Sequence, residues 1–515
     1  MTAVESTEPI PGKVKHPSGL STLFFTEMWE RFSYYGMRAL LVLFLTATIE
    51  RGGFGLDDAP ATAILGLYLA SIYLFCLPGG WIADRILGQR NAVFLGGIII
   101  TLGHFSMAIG WIAAFYLGLV LIVLGTGLLK PNVSAIVGDL YPEGGARRDA
   151  GFSIFYMGIN LGGFIGPIIC GYLGERVNWH LGFAAAGVGM VLGLIQYRLG
   201  YSRMGDAGER EINPTERSRA IRLLIASIAL VAIMAAVLVL LNSRGTITLT
   251  SGGVASLFKY IIPGLAIAYF IYQILFGGFD ATEKKRIGMI FILFVAAAIF
   301  WAGFEQAGSS LNLFAERLTD RVMFGWEMPT TWLQSINPLF IIGFAPLFGF
   351  LWLSLASRQP SIPAKFAYGL IFLGIGFLVL TWGATYVGDP NNPNKVSPAW
   401  LVVTYFFHTT GELCLSPVGL SSMTKLSPRK LVGQMMGIWF LAASFGNLMA
   451  GLLAGKMTSL GIVETFGYIA MATIGVGLIL FVFRRQVINL MGEGGSREKR
   501  RNRFLDHSSS ESTAA

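Results

Sequence analysis

The chain has 515 residues, of which 54% are hydrophobic and only 13% are charged, and its mean hydropathy is +0.63. A water-soluble surface needs about twice that share of charge, so an ordinary soluble globular protein is excluded and lipid is the expected solvent. The net charge of +9 calls for no nucleic acid, because basic loops are what an inner membrane face attracts. Three cysteines, Cys76, Cys170 and Cys414, all within apolar stretches, are too few for a disulfide framework.

Residues 1–20 form a polar tail without the short apolar core and small-residue cleavage site of a signal peptide. Apolar segments long enough to cross about 30 Å of hydrocarbon as helices then follow one another. Six lie near 21–47, 61–83, 91–110, 112–138, 150–174 and 181–200. Two more, near 220–242 and 256–278, follow the basic stretch that ends at Arg222 and carry no other charge than Lys259. A second six lie near 287–315, 329–356, 364–387, 398–424, 430–455 and 460–484. The expected fold class is therefore an all-α integral membrane protein of about 14 spans. Its expected divisions are a cytoplasmic tail (1–20), a six-helix bundle (21–200), a linker with two inserted helices (201–286), a second six-helix bundle (287–486) and a disordered basic tail (487–515).

Loop charges set the orientation. With both termini assigned to the cytoplasm, 27 of the 38 Lys and Arg residues fall in inner segments and 8 in outer ones, the bias of a chain whose two ends are inside. The expected location is the inner cell membrane. The Ser-rich end with Arg497, Lys499, Arg500, Arg501 and Arg503 is expected to touch anionic lipid.

The first span carries Glu27, Glu30, Arg31 and Arg38, although a charge at the bilayer centre costs roughly 2.5 to 3.5 kcal/mol. With Tyr34 and Tyr35 they follow helical spacing and define a stripe that must face a wet cavity or partner helices. Lys130 before Pro131, Glu305 within FWAGFEQAGSS and Glu412 within GELCLSPVGL place isolated charges on three further spans. One buried pair could be a packing device. Seven charges over four helices in both halves point to a path for a solute or a proton.

Glu27-Met28-Trp29-Glu30-Arg31-Phe32-Ser33-Tyr34-Tyr35 resembles the ExxERFxYY signature of the proton-dependent oligopeptide transporter family, a branch of the major facilitator superfamily. Phe155-Tyr156-Met157-Gly158-Ile159-Asn160-Leu161-Gly162 and the run from Gly411 through Glu412, Ser416 and Pro417 to Ser421 are similar to two further family segments. Asp84-Arg85-Ile86-Leu87-Gly88-Gln89-Arg90 resembles the superfamily's loop motif, a cytoplasmic latch between helices. The resemblance extends from about Ser21 to Arg485 and includes the inserted helix pair of bacterial members.

What the resemblance implies is a major facilitator fold, two six-helix bundles with a site between them at the midplane, and proton-coupled import of di- and tripeptides. The partners are then small peptides, protons and membrane lipid, with no cofactor, no metal and a chain that works as a monomer. By similarity, Arg31, Lys130 and Tyr35 hold the peptide carboxylate; Glu412, Asn160 and Asn337 hold the amine; Tyr73, Trp301 and Trp439 line the side-chain pockets. Packing is the plain alternative for each aromatic. Glu305 is expected to face Arg38 and take the coupling proton, Lys130 with Glu412 to close the inner end, and Glu27 and Glu30 to tune Arg31 and Lys130 or relay the proton. Animal relatives have a histidine in the second span; residues 61–83 have none, so protonation is expected on carboxylates. His408, one turn before Glu412, is a pH sensor or a packing residue. The alternative within the fold is a transporter or exporter of another small solute. No H-E-x-x-H, G-x-S-x-G or P-loop pattern occurs, which speaks against an enzyme and against ATP as the driver.

Overall fold

A computed structural model describes residues 15–143, 145–209, 211–355, 358–388, 394–428 and 431–490. Most of the first tail and everything beyond residue 490, including the basic Ser-rich end, lie outside the described residues. The chain is built from helices in the order α1 (Gly19–Thr46), α2 (Asp58–Ile82), α3 (Gln89–Met107), α4 (Ile112–Asp139), α5 (Gly145–Tyr172) and α6 (Trp179–Leu199). Then come α7 (Pro214–Ser243), α8 (Ser251–Phe276), α9 (Ala281–Phe304), the short α10 (Ser310–Arg317), α11 (Ile336–Leu355) and α12 (Ile362–Ala384). The last are α13 (Ala399–Leu426), α14 (Val432–Ala454), the short α15 (Met457–Leu460), α16 (Ile462–Val482) and α17 (Arg484–Leu490). Eleven of these segments are long and apolar enough to cross a membrane by length and composition; α1, with its four charges, is not among them.

Several helices begin earlier than their apolar runs because a polar residue caps them. Asn213 accepts from Thr215 N–H ahead of α7, Thr250 from Gly253 N–H ahead of α8, and Asp280 with Glu283 forms a reciprocal capping box on α9. The start of α9 at Ala281 thus lies inside the stretch expected as linker. The segment expected as one span over 287–315 is broken: α9 ends at Phe304, a 3₁₀ turn covers Glu305–Gly308, and α10 resumes at Ser310. The span expected from 329 likewise opens with a 3₁₀ turn, Thr330–Ser335, before α11. Residues 487–490, expected in the disordered tail, are the end of α17. Between α10 and that turn lies a small antiparallel hairpin, β1 (Val322–Met323) with β2 (Trp326–Glu327).

Helix α1 packs on α5 and α6, α2 on α4, and α3 on α4 and α6; in the second half α12 packs on α13 and α16, and α9 on α12, α13, α14 and α16. The two sets meet along α2 with α14 and α5 with α11. Small residues allow this closeness. An added Cβ at Gly66 would lie 3.1 Å from the Cα of Gly451, so these two helices touch backbone to backbone. Inserted α8 lies against α2, α9 and α14, where Tyr269 donates to Gln434 at 2.7 Å, whereas α7 is exposed along almost its whole length.

The tightest approach inside the first half is α2 to α4: a Cβ at Gly79 would sit 1.9 Å from the carbonyl oxygen of Gly127, while its neighbour Gly80 has nothing within 4 Å. Gly79→Ala is therefore expected to destabilise the protein by about 1–3 kcal/mol and Gly80→Ala by less than about 0.5 kcal/mol. Melting temperatures of the two purified variants check this; equal values would contradict the packing described.

Candidate functional site

Four members of the α1 stripe, Glu27, Arg31, Tyr35 and Arg38, line a cavity of about 180 Å³ between the two sets of helices. Tyr73 from α2, Lys130 from α4 and Asn160 from α5 complete its first side. Facing them are Trp301 from α9, Glu305 from the 3₁₀ turn, Asn337 from α11 and Glu412 from α13. Charged groups spread along the chain from Glu27 to Glu412 are thus brought to one void, and the carboxylates from the second half face the cations from the first.

The stripe divides, however. Glu30 and Tyr34 turn to the side of α1 and do not line the cavity. Glu30 holds Arg31 instead, accepting from its Nε and, at 2.5 Å, from its Nη2, and Glu27 Oε1 lies 3.4 Å from the same Nε. Arg31 also lies over the Tyr34 ring, 4.6 Å from its centroid. All three charged groups are almost fully buried. A carboxylate arriving from a solute competes with these two for the guanidinium.

Arg38 pairs with Glu305 across the halves at 2.5 Å, and both are about 95% buried. The break after α9 makes room for this pair: a Cβ at Gly308 would lie 2.9 Å from Arg38 Nε, so the arginine lies flat on the turn. Around it the halves are bound by further bonds at the same end of the molecule. Arg317 makes a bidentate pair with Asp58, 2.7 Å for each bond, and Asn312 donates to the Ala39 carbonyl at 2.9 Å. This is the latched end. Nearer mid-span, Ser444 donates to the Ala70 carbonyl at 2.8 Å.

Nearer the other end, the expected pair between Lys130 and Glu412 is not formed. Among the described residues no ion pair is made by Lys130, whose ammonium lies 4.6 Å from the Tyr73 ring centroid. Glu412 instead accepts from Asn337 Nδ2 at 3.2 Å, and the same amide donates to Thr409 Oγ1 at 2.9 Å. Asn337 therefore has its carbonyl oxygen left to accept, as does Asn160, whose amide donates to Tyr156 O at 2.9 Å. The cavity thus offers acceptors from both halves, and its cations come from the first.

Trp439 is a correction. It does not line the cavity but is buried, its ring over Gly419 and edge-on to Phe366; the empty face of Gly419 is what receives the indole. His408 does line the cavity and is packed among Phe377, Phe304 and Tyr405. Cavity residues given no site role from the sequence include Tyr156 and Ser416, which lie in the two family-like segments one turn from Asn160 and Glu412, and Gln334, three residues before Asn337. Their helical spacing from flagged residues is the signal that finds them. In the Asp84–Arg90 motif, Arg90 grips the start of the linker, bonding the Ala207 carbonyl at 2.7 Å and Glu209 at 2.6 Å. Among the described residues no three His, Cys, Asp or Glu side chains are placed to hold a metal.

The family model described as "POT family" matches residues 90–478. The chain belongs to that family. It is 43% identical over 497 residues to a peptide transporter of Yersinia enterocolitica, with 93% of this chain and 96% of the relative covered. It is 38% identical over 488 residues to a di-/tripeptide transporter of Lactococcus lactis, covering 93% and 97%. Among solved structures, a peptide transporter in complex with sulfate superimposes with a TM-score of 0.87 at 43% identity, over 94% of this chain and 98% of that one. A POT family transporter in complex with 5-aminolevulinic acid gives 0.85 at 36%, over 93% and 98%. The fold is that of the major facilitator superfamily, and this POT-family chain is a multi-span membrane transporter rather than an enzyme.

The buried pair gives a direct test. Arg38→Gln leaves Glu305 without its partner and is expected to cost about 3–5 kcal/mol, whereas Arg38→Gln with Glu305→Gln removes both charges and costs clearly less than the two single changes together. A thermal-stability cycle of the four proteins checks this, and strict additivity would contradict a coupled pair.

Proposed function

We propose that this transporter imports short peptides together with protons, holding the two ends of the peptide zwitterion between opposite charges of its halves. The observation that carries the proposal is the single cavity with Arg31 and Lys130 on one side and Glu305 and Glu412 on the other. A peptide carboxylate fits Arg31, Lys130 and Tyr35; its ammonium fits Glu412 with the carbonyl oxygens of Asn160 and Asn337. Tyr73 and Trp301 supply apolar walls that tolerate many side chains. The names of the Yersinia and Lactococcus relatives support peptides as the solute. A second reading, another small solute bearing both an amine and a carboxylate, draws support from the relative bound to 5-aminolevulinic acid.

The moving parts are the bundles over 21–200 and 287–486, with 201–286 as the linker that carries α7 and α8. The excess of Lys and Arg in one set of loops puts both termini in the cytoplasm of a cell inner membrane, which makes the latched end the outer one. The chain then stands with its outside shut and its Lys130–Glu412 pair parted. A proton arriving from outside neutralises Glu305, Arg38 loses its partner, and the outer gate is released. A peptide entering displaces Glu27 and Glu30 from Arg31 with its carboxylate and engages Glu412 with its amine, which draws the halves together from the other side. Loss of the proton to the cytoplasm restores the Arg38–Glu305 pair and resets the latch. The proton is the only coupling ion in this scheme; lipid surrounds a working monomer.

In liposomes with an acid exterior, wild-type protein is expected to accumulate labelled dialanine above its external concentration. Glu305→Gln is expected to exchange dialanine across the membrane while accumulation falls to simple equilibration. Uphill uptake at the wild-type level by Glu305→Gln would remove Glu305 from the coupling role, and no dipeptide uptake by the wild type would favour the other solute.

A further inference from the structure

The face of α5 that carries Asn160 continues to the latched end through Phe164, Ile168 and Gly171, at spacings of four, four and three residues that keep one line along the helix, and Glu175 follows on the π-helical turn Leu173–Val177 that extends α5. Each of these four meets the segment 330–335 in reverse order. Ser335 Oγ donates to the Phe164 carbonyl at 2.8 Å, and the Trp332 indole donates to the Ile168 carbonyl at 3.0 Å. Thr331 lies on Gly171 so closely that an added Cβ would be 1.8 Å from Thr331 Oγ1. Glu175 then accepts three bonds, from Thr330 N–H at 2.8 Å, Thr331 N–H at 2.9 Å and Thr331 Oγ1 at 2.8 Å.

Those two N–H groups open the 3₁₀ turn Thr330–Ser335, and the residue before it is Pro329, which has no side chain able to cap them. Thr330 and Thr331 are fully buried. The cap is supplied by the opposite half of the molecule. The turn carries Gln334 and runs without interruption into α11, which carries Asn337, and both side chains line the cavity. Fixing the first residue of the turn therefore fixes the register of two site residues four and seven positions on. Beside it, Arg176 and Arg321 converge on Glu327 and brace the hairpin that leads into the turn.

We propose that Glu175 is a positioning residue for the site: by capping the 330–335 turn from across the halves it sets Gln334 and Asn337 in the cavity, so the amine end is assembled only as the latched end closes. The substrate part of this rests on the peptide reading above. Gly171 is required by the same device, since a methyl group there holds Thr331, and with it the cap, away from α5.

The test has one arm that needs no substrate. Spin labels at Val177→Cys and Met323→Cys, both exposed on opposite halves at this end, report its closure by their separation. Glu175→Ala and Gly171→Ala are each expected to add a longer-distance population. Thr331→Gly in the Gly171→Ala background is expected to restore the short one, because two N–H bonds to Glu175 remain. In the second arm, Glu175→Ala is expected to raise the KM for dialanine about tenfold, with Glu175→Gln in between, because its one amide oxygen keeps part of the cap while its NH2 group faces an N–H donor. Unchanged separations in both single variants would overturn the latch. Longer separations with an unchanged KM would overturn the positioning role and leave a brace. Failure of the wild type to take up dialanine would count against the peptide reading alone, because the distance arm is read without it.

Discussion

A charge within hydrocarbon must meet water or an opposite charge, and leaving it to lipid costs roughly 2.5–3.5 kcal/mol at the centre of a helix. Four charges on α1 and one each from three other segments therefore force a shared polar chamber, and much of the architecture serves to build it. The glycines at Gly66 and Gly451 let α2 and α14 touch backbone to backbone. The interruption of α9 at Phe304 turns Glu305 inward, and the bare Gly308 lets Arg38 lie across the turn to reach it. A continuous helix over 287–315 would offer neither.

The same chamber explains how one structure can hold two states. The ionic groups in it are held by partners of different kinds: Arg31 by Glu30 and Glu27, Arg38 by Glu305, and Glu412 by an amide, while Lys130 rests on an aromatic ring. Exchanging partners costs little compared with losing them, so a solute carrying both charges, or a proton on one carboxylate, can move the balance between closed ends. The latched end joins hydrogen bonds and ion pairs to apolar packing that continues across the halves.

The major facilitator fold was legible because apolar length, loop charge and a nine-residue signature all point the same way. The site was legible in part from helical spacing: Glu27, Arg31, Tyr35 and Arg38 fall within an arc of about 80°, while Glu30 lies about 60° and Tyr34 only about 20° outside it, too little for spacing alone to take them off the stripe. Trp439 misled because an indole in an apolar span suits a cavity wall and a core slot equally, and only Gly419 on another helix shows which it fills. Asp280 and Glu283 made a readable cap that moved the start of α9 into the expected linker. Glu175 gave no signal at all, since its partners are backbone N–H groups 155 and 156 residues away, and a carboxylate near a helix end reads as a solvated rim charge.

The central claim is that one ligand spans the charges of both halves. An experimental structure of this protein with a dipeptide bound measures it directly. The account requires the peptide carboxylate beside Arg31 and Lys130 and its ammonium beside Glu412 and Asn337. A peptide lying in the reverse direction, or held by one half alone, would contradict it.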